Sequence, residues 1–186
     1  MICTDEFKKT TLKETSFDSE NKEYMTESTL EVVNFDGLKD QFVRTLDNKF
    51  EELPCSNDAL FFSSDDEIFM IEFKNGKIDK NTTYNLFRKN YDSILIYLHY
   101  DLHDIETIKS KLNYILVYNK EKNSTEEGTT DSISQSNSRV KIGQTLARKA
   151  NKNFILFGLN YFKGYTFKEV YTLTETEFEE LFLKKW

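Results

Sequence analysis

After Asp36, apolar residues recur every three or four positions: Leu38, Phe42, Leu46, Phe50 and Leu53. That spacing predicts an amphipathic helix over 36–52, with Asp36 as its N-cap and Pro54, the only proline, as its stop. The period then changes. "DALFFS" and "EIFMIEFK" are short apolar runs on either side of Ser64–Asp65–Asp66, and they predict strands at about 58–63 and 67–74. Asn75–Gly76–Lys77 marks a turn. A second helix is predicted over 81–100, with Tyr84, Phe87, Tyr91, Ile94, Leu95 and Leu98 as its apolar stripe. "LNYILVYN" (112–119) reads as a buried strand.

Residues 120–137 are polar and rich in Ser, Thr and Glu, which predicts a flexible loop. A basic helix over 138–152, a buried strand over 153–159 and an edge strand within 164–174 follow. A terminal helix is capped by Thr174 or Thr176. At the other end, Ser28–Phe35 suits a short strand or the entry to the first helix. Residues 1–28 are polar and lack a clear period, so they predict a mobile or lightly packed N-terminal extension ahead of a single domain at 29–186. The order of elements predicts an α/β three-layer sandwich, a central mixed β-sheet flanked by helices.

Composition adds a few bounds. The 186 residues suit one domain with a sizeable core, and 16 Phe and 10 Tyr supply much of it. Phe61, Phe69, Phe154 and Phe157 fall in strand patterns and are expected inside, whereas Tyr161, Phe162 and Tyr165 flank Gly164 and offer exposed stacking surfaces. No apolar stretch is long enough to span a bilayer, and the N-terminus carries no run like that of a signal peptide, so no membrane partner is expected. Cys3 and Cys55 are far apart and form no metal or redox motif, which predicts a reduced, cytoplasmic setting. The net charge of −7 argues against nucleic acid as a partner until its distribution is read. Residues 1–34 hold eight acids against four bases, residues 121–137 four against one, and these two segments carry the whole excess. They also offer an acidic surface to a basic protein partner.

The charges of the hairpin carry the chemistry. With Ser64–Asp65–Asp66 as a three-residue turn, Ser63 pairs with Glu67 and Asp58 falls opposite Glu72. Like charges facing each other across a sheet are destabilising. A divalent cation between them would remove that repulsion, and hard cations such as Mg²⁺ take one or two carboxylates plus water and phosphate. Lys74 lies two residues on from Glu72, on the same strand face, and places a positive group beside such a cation.

Asp58, the 14-residue gap to Glu72 and "IEFK" (Ile71–Lys74) resemble the PD-(D/E)XK nuclease superfamily, the restriction-endonuclease-like fold. The resemblance spans roughly residues 30–160 and extends to the order of elements. It implies metal-dependent phosphodiester hydrolysis, of DNA foremost, in a defence, mobile-element or phage setting. By the same resemblance Asp58, Glu72 and the Phe73 carbonyl would ligate Mg²⁺ or Mn²⁺, and Lys74 would be the catalytic lysine. An acid on the first helix often lies near the metal in that family, and Asp47 and Glu51 are the candidates. Two departures stand out. Asn57 precedes Asp58 where the family usually has proline. "NLFRKNYDS" replaces a Gln-x-x-x-Tyr element on the following helix and offers Arg88 and Lys89. Members of the superfamily that only bind or scaffold make a non-catalytic binding or immunity-type protein, or an assembly subunit, the alternative.

Remaining candidates are cationic or imidazole groups. Arg88 and Lys89, and Arg139, Lys141, Arg148, Lys149 and Lys152 on the basic helix, are expected to contact a nucleic-acid backbone or to form a solvated face. His99 and His103, four residues apart, suit either a metal or a helix end.

Overall fold

The computed structural model describes residues 7–46, 51–100, 105–123 and 155–186. Its strands, in chain order, are β1 (Lys9–Thr11), β2 (Phe17–Asp18), β3 (Glu23–Tyr24), β4 (Glu31–Asn34), β5 (Ala59–Phe62), β6 (Ile68–Lys74), β7 (Leu112–Tyr118) and β8 (Glu169–Thr174). Its α-helices are α1 (Leu12–Thr15), α2 (Phe35–Arg44), α3 (Lys80–Tyr100), α4 (Ile105–Lys111) and α5 (Glu175–Phe178), the last continued by a π turn over Glu179–Leu183. Six strands form one mixed sheet in the order β1-β4-β5-β6-β7-β8, antiparallel as far as β6 and parallel from β6 to β8. β2 and β3 form a separate hairpin. Among the described residues no helix is long and apolar enough to cross a membrane.

The sheet is apolar on both faces because its central strands alternate between two cores. Ile68 and Met70 of β6 join Leu112, Tyr114, Leu116 and Tyr118 of β7 in the first core, together with Phe35 and Leu38 of α2 and Leu86, Ile96 and Tyr97 of α3. Phe69, Ile71, Phe73, Ile115 and Val117 point the other way, into a second core with Leu12, Met25 and Phe178. Phe182 and Trp186 close that core against Phe69. The architecture is therefore α/β, with a six-stranded mixed sheet packed on both sides.

Several local expectations are corrected. The first helix runs over 35–44, not 36–52, and its cap is Asn34, whose side chain accepts the Gly37 N–H at 3.0 Å; Asp36 lies in the first turn. It ends ten residues before Pro54. The 7–28 stretch is no loose extension. It contributes β1 to the sheet and buries Phe7, Leu12 and Met25, which outweighs its polar composition. The strand expected over 153–159 does not extend through 155–158. Phe157 and Gly158 take left-handed backbone conformations (φ 57° and 70°), and a 3₁₀ turn follows at Leu159–Phe162. Phe162 is fully buried, while Tyr161 and Tyr165 are exposed.

α3 occupies the predicted span but presents a different face. Its core side is Leu86, Asn90, Ser93, Ile96 and Tyr97, while Tyr84 and Leu95 project into solvent at 70% and 63% exposure. Asn90 and Ser93 sit inside because they hydrogen-bond the segment leading to Asp58, as set out below. Thr174 caps the terminal helix in a reciprocal box with Glu177. The loop over 120–137 is described only as far as Asn123, and Phe154, His103 and the basic residues of 138–152 lie outside the described residues.

Candidate active site at the end of the hairpin

The hairpin turn fixes the geometry of everything that follows. Ser63 N–H donates to the Glu67 carbonyl at 2.8 Å, and Asp66 closes the three-residue turn in the left-handed region (φ 61°), a conformation aspartate tolerates. The register is the expected one: Phe62 pairs with Ile68, Phe61 with Phe69, Leu60 with Met70 and Ala59 with Ile71. One residue further the ladder gives way. Asp58 donates its N–H to the Ile71 carbonyl at 3.0 Å, and its side-chain Oδ2 accepts the Phe73 N–H at 2.7 Å. A carboxylate thus takes the place of the next backbone acceptor. The Asp58 carbonyl also accepts the Phe35 N–H at the start of α2, which anchors the strand end to that helix.

This arrangement brings both carboxylates to one point. Glu72 lies on the face covered by α3 and has no solvent exposure. Lys89, carried by α3, places Nζ 2.7 and 2.8 Å from the two Glu72 oxygens and 3.4 Å from Asp58 Oδ1. Lys74 Nζ approaches Glu72 Oε1 at 3.3 Å from the more open side. Two acids and two ammonium groups therefore form one cluster. Asp58 and Lys89 are each about a fifth exposed and Lys74 slightly more, so the cluster opens to solvent at the end of β6.

Its electrostatics follow from burial and pairing. Burial, and then the Glu72 charge, push the Asp58 carboxyl up to about 7, against the opposing pull of Lys89, the Phe73 N–H and Lys74. For Lys89, burial acts downward, but Glu72 and Asp58 outweigh it and hold the ammonium above its ordinary range. The Tyr114 hydroxyl, buried on the same face, is held neutral by burial and by the same two carboxylates.

Asn57 explains its own presence. Its N–H donates to Ser93 Oγ at 2.8 Å and its side-chain amide donates to Asn90 Oδ1 at 3.2 Å. Two residues earlier, the Cys55 N–H donates to Asp92 Oδ2 at 2.8 Å. The segment before Asp58 is thus strapped to the turn of α3 that carries Lys89. A proline at 57 would remove the N–H that Ser93 accepts.

The other candidates separate from the cluster. Lys89 is no free surface cation: Glu72 and Asp58 bind its ammonium group, which makes it a member of the site. Arg88 is held by Glu52 at 2.9 Å, by Asp92 at 3.6 Å and by the Leu53 carbonyl. Glu51 is exposed beyond the end of α2, and Asp47 lies outside the described residues. The α2 acid with a link to the site is Asp36. Its Oδ1 accepts from Ser56 Oγ at 2.6 Å, and its carboxyl is held below the usual range, against burial, by Ser56, Lys39 and the Lys89 charge. Its position in the first helical turn concealed that link in the sequence. Lys89 was visible as the cation replacing the Gln-x-x-x-Tyr element, but only α3's rotation shows where it points. His99 packs edge-on against Phe42 and Tyr100.

The donor set suits a hard cation. Two carboxylates converge on a position that already holds a positive group, which is the arrangement of charge that a Mg²⁺ site with one or two carboxylates requires. Among the described residues no three His, Cys, Asp or Glu side chains gather as a fuller metal cage. Comparison with models of known families, with curated proteins and with solved structures returned no match.

Proposed function

We propose that this chain is a metal-dependent phosphodiester hydrolase acting on nucleic acid, DNA foremost, built on a restriction-endonuclease-like PD-(D/E)XK fold. The observation that carries the reading is the convergence of Asp58 and Glu72 on one cation position with Lys74 beside them at an open strand end. Asp58, Glu72 and the Phe73 carbonyl would hold Mg²⁺ or Mn²⁺. Bound there, the ion supplies a Lewis acid and a water acidified enough to act as nucleophile. Glu72, shielded from solvent, keeps the site's negative charge in low dielectric, where it acts most strongly on a cation. Lys74, on the same face and nearer solvent, is placed to neutralise charge that develops on the phosphoryl oxygens. Asn57, Asn90 and Ser93 hold the Asp58 segment and α3 in register.

The test is cleavage of plasmid and oligonucleotide DNA, and of RNA, with Mn²⁺ or Mg²⁺. Cleavage by the wild-type chain is expected to fall by about 10²–10³-fold or more in Lys74→Ala and Glu72→Gln. Robust cleavage by both variants overturns the assignment. One observation favours a second reading, a non-catalytic binding or immunity-type protein or an assembly subunit on the same fold. Lys89 and Lys74 already balance both carboxylates, so the cluster is electrically complete without a metal. DNA retention without cleavage in either metal would favour that reading.

A further inference from the structure

We propose that Lys89 is a tethered counter-ion that occupies the cation position of the Asp58–Glu72 pair and leaves it when a divalent ion enters. The proposal rests on the hydrolase reading's metal site and adds an exchange to it. Lys89 Nζ is within 2.8 Å of both Glu72 oxygens and 3.4 Å from Asp58 Oδ1. A Mg²⁺ ion bonds oxygens at about 2.0–2.1 Å and needs its own shell of water. It cannot share that point with an ammonium group, and two cations that close repel strongly where solvent is scarce.

Lys74 does not play this part. It comes no nearer than 3.3 Å to Glu72, against 2.7 Å for Lys89, and among the described residues no ion pair joins it to Asp58. The backbone beneath Lys89 is fixed by the bonds from Asn57 to Asn90 and Ser93, so the exchange is a swing of the four-carbon side chain rather than a shift of α3. Its side chain is 22% exposed, which gives it a route to solvent or to an incoming phosphate. The arrangement also accounts for a fully buried glutamate: the protein supplies its own cation. Divalent binding is then weakened by the fraction of molecules in which Lys89 still fills the site.

Calorimetric titration with Mn²⁺ of the wild-type chain, Lys89→Met and Lys74→Met tests the exchange. Lys89→Met is expected to bind Mn²⁺ about tenfold or more tightly than wild type, and to gain more in melting temperature from it. Lys74→Met is expected to change affinity far less. Wild-type binding with equal or weaker binding by Lys89→Met overturns the exchange and leaves the hydrolase reading standing. No binding by any of the three overturns both. A measurement on the wild-type chain covers the case in which Lys89→Met does not fold. The Lys89 side-chain ¹³Cε and ¹⁵Nζ resonances are expected to move to free-lysine positions as Mg²⁺ is added. Unmoved resonances alongside saturating metal overturn the exchange.

Discussion

Asp58 carries two duties that pull against each other. Its Oδ2 completes the sheet by accepting the Phe73 N–H, which favours the charged form, while burial and Glu72 disfavour it and win. The consequence for stability has a definite sign. With a folded-state pKa of about 7 against an ordinary 3.8, the folded chain keeps a proton that the unfolded chain has already released between those values. Stability therefore falls as pH rises through that window, and the loss is complete above about 7. Asparagine at 58 retains an oxygen for Phe73 and removes the titration. Asp58→Asn is thus expected to gain on the wild-type chain by roughly 1–3 kcal/mol between pH 4.5 and pH 8. Urea unfolding at the two pH values measures it, and a difference that does not change with pH refutes the assignment.

The hairpin and the helix after it show what a sequence can and cannot reveal of an element. β5 and β6 were legible because local chemistry sets their register: a short turn ending in a residue that accepts a left-handed conformation, flanked by alternating apolar runs. That register carries Asp58 to the Glu72 end of β6, although the ladder itself stops at Ala59–Ile71. α3 was legible in span and not in rotation. Its apolar stripe pointed to Tyr84, Tyr91 and Leu95, whereas hydrogen bonds to Asn57 draw the polar Asn90 and Ser93 inward. A periodicity count treats such residues as outward, so Lys89's place beside Glu72 stayed hidden. The same bonds yield a prediction at this scale. Proline is what the PD-(D/E)XK pattern usually has at 57, but here Asn57→Pro deletes the N–H to Ser93 and the amide to Asn90. The substitution is expected to destabilise the chain by about 2–4 kcal/mol, and thermal unfolding checks it. An unchanged or raised melting temperature would mean that the strap to α3 carries no weight.

Across the whole molecule, the two faces of the sheet divide the work. The face under α2 and α3 holds Glu72, Lys74 and Lys89, while the opposite face is an aromatic core closed by Phe178, Phe182 and Trp186. The N-terminal stretch serves both faces: Phe7 joins the first core, Leu12 and Met25 the second. β1 extends the sheet beyond β4, and Leu12, fully buried, packs in that second core with Met25 and Val32. Nothing in the sequence announced this, because three short strands and three scattered hydrophobes leave no period to detect in a polar background. If the faces are independent, damage to one lowers stability without reaching the site on the other. Leu12→Ala opens a cavity in the second core and is expected to cost about 2–5 kcal/mol in urea unfolding. Leu12 lies across the sheet from Lys89 and shares no hydrogen-bonding partner with it. Mn²⁺ affinity measured well below the melting temperature is therefore expected to match wild type within about 0.5 kcal/mol. Metal affinity that falls together with stability in Leu12→Ala would instead make the N-terminal strand part of what holds the carboxylates in place.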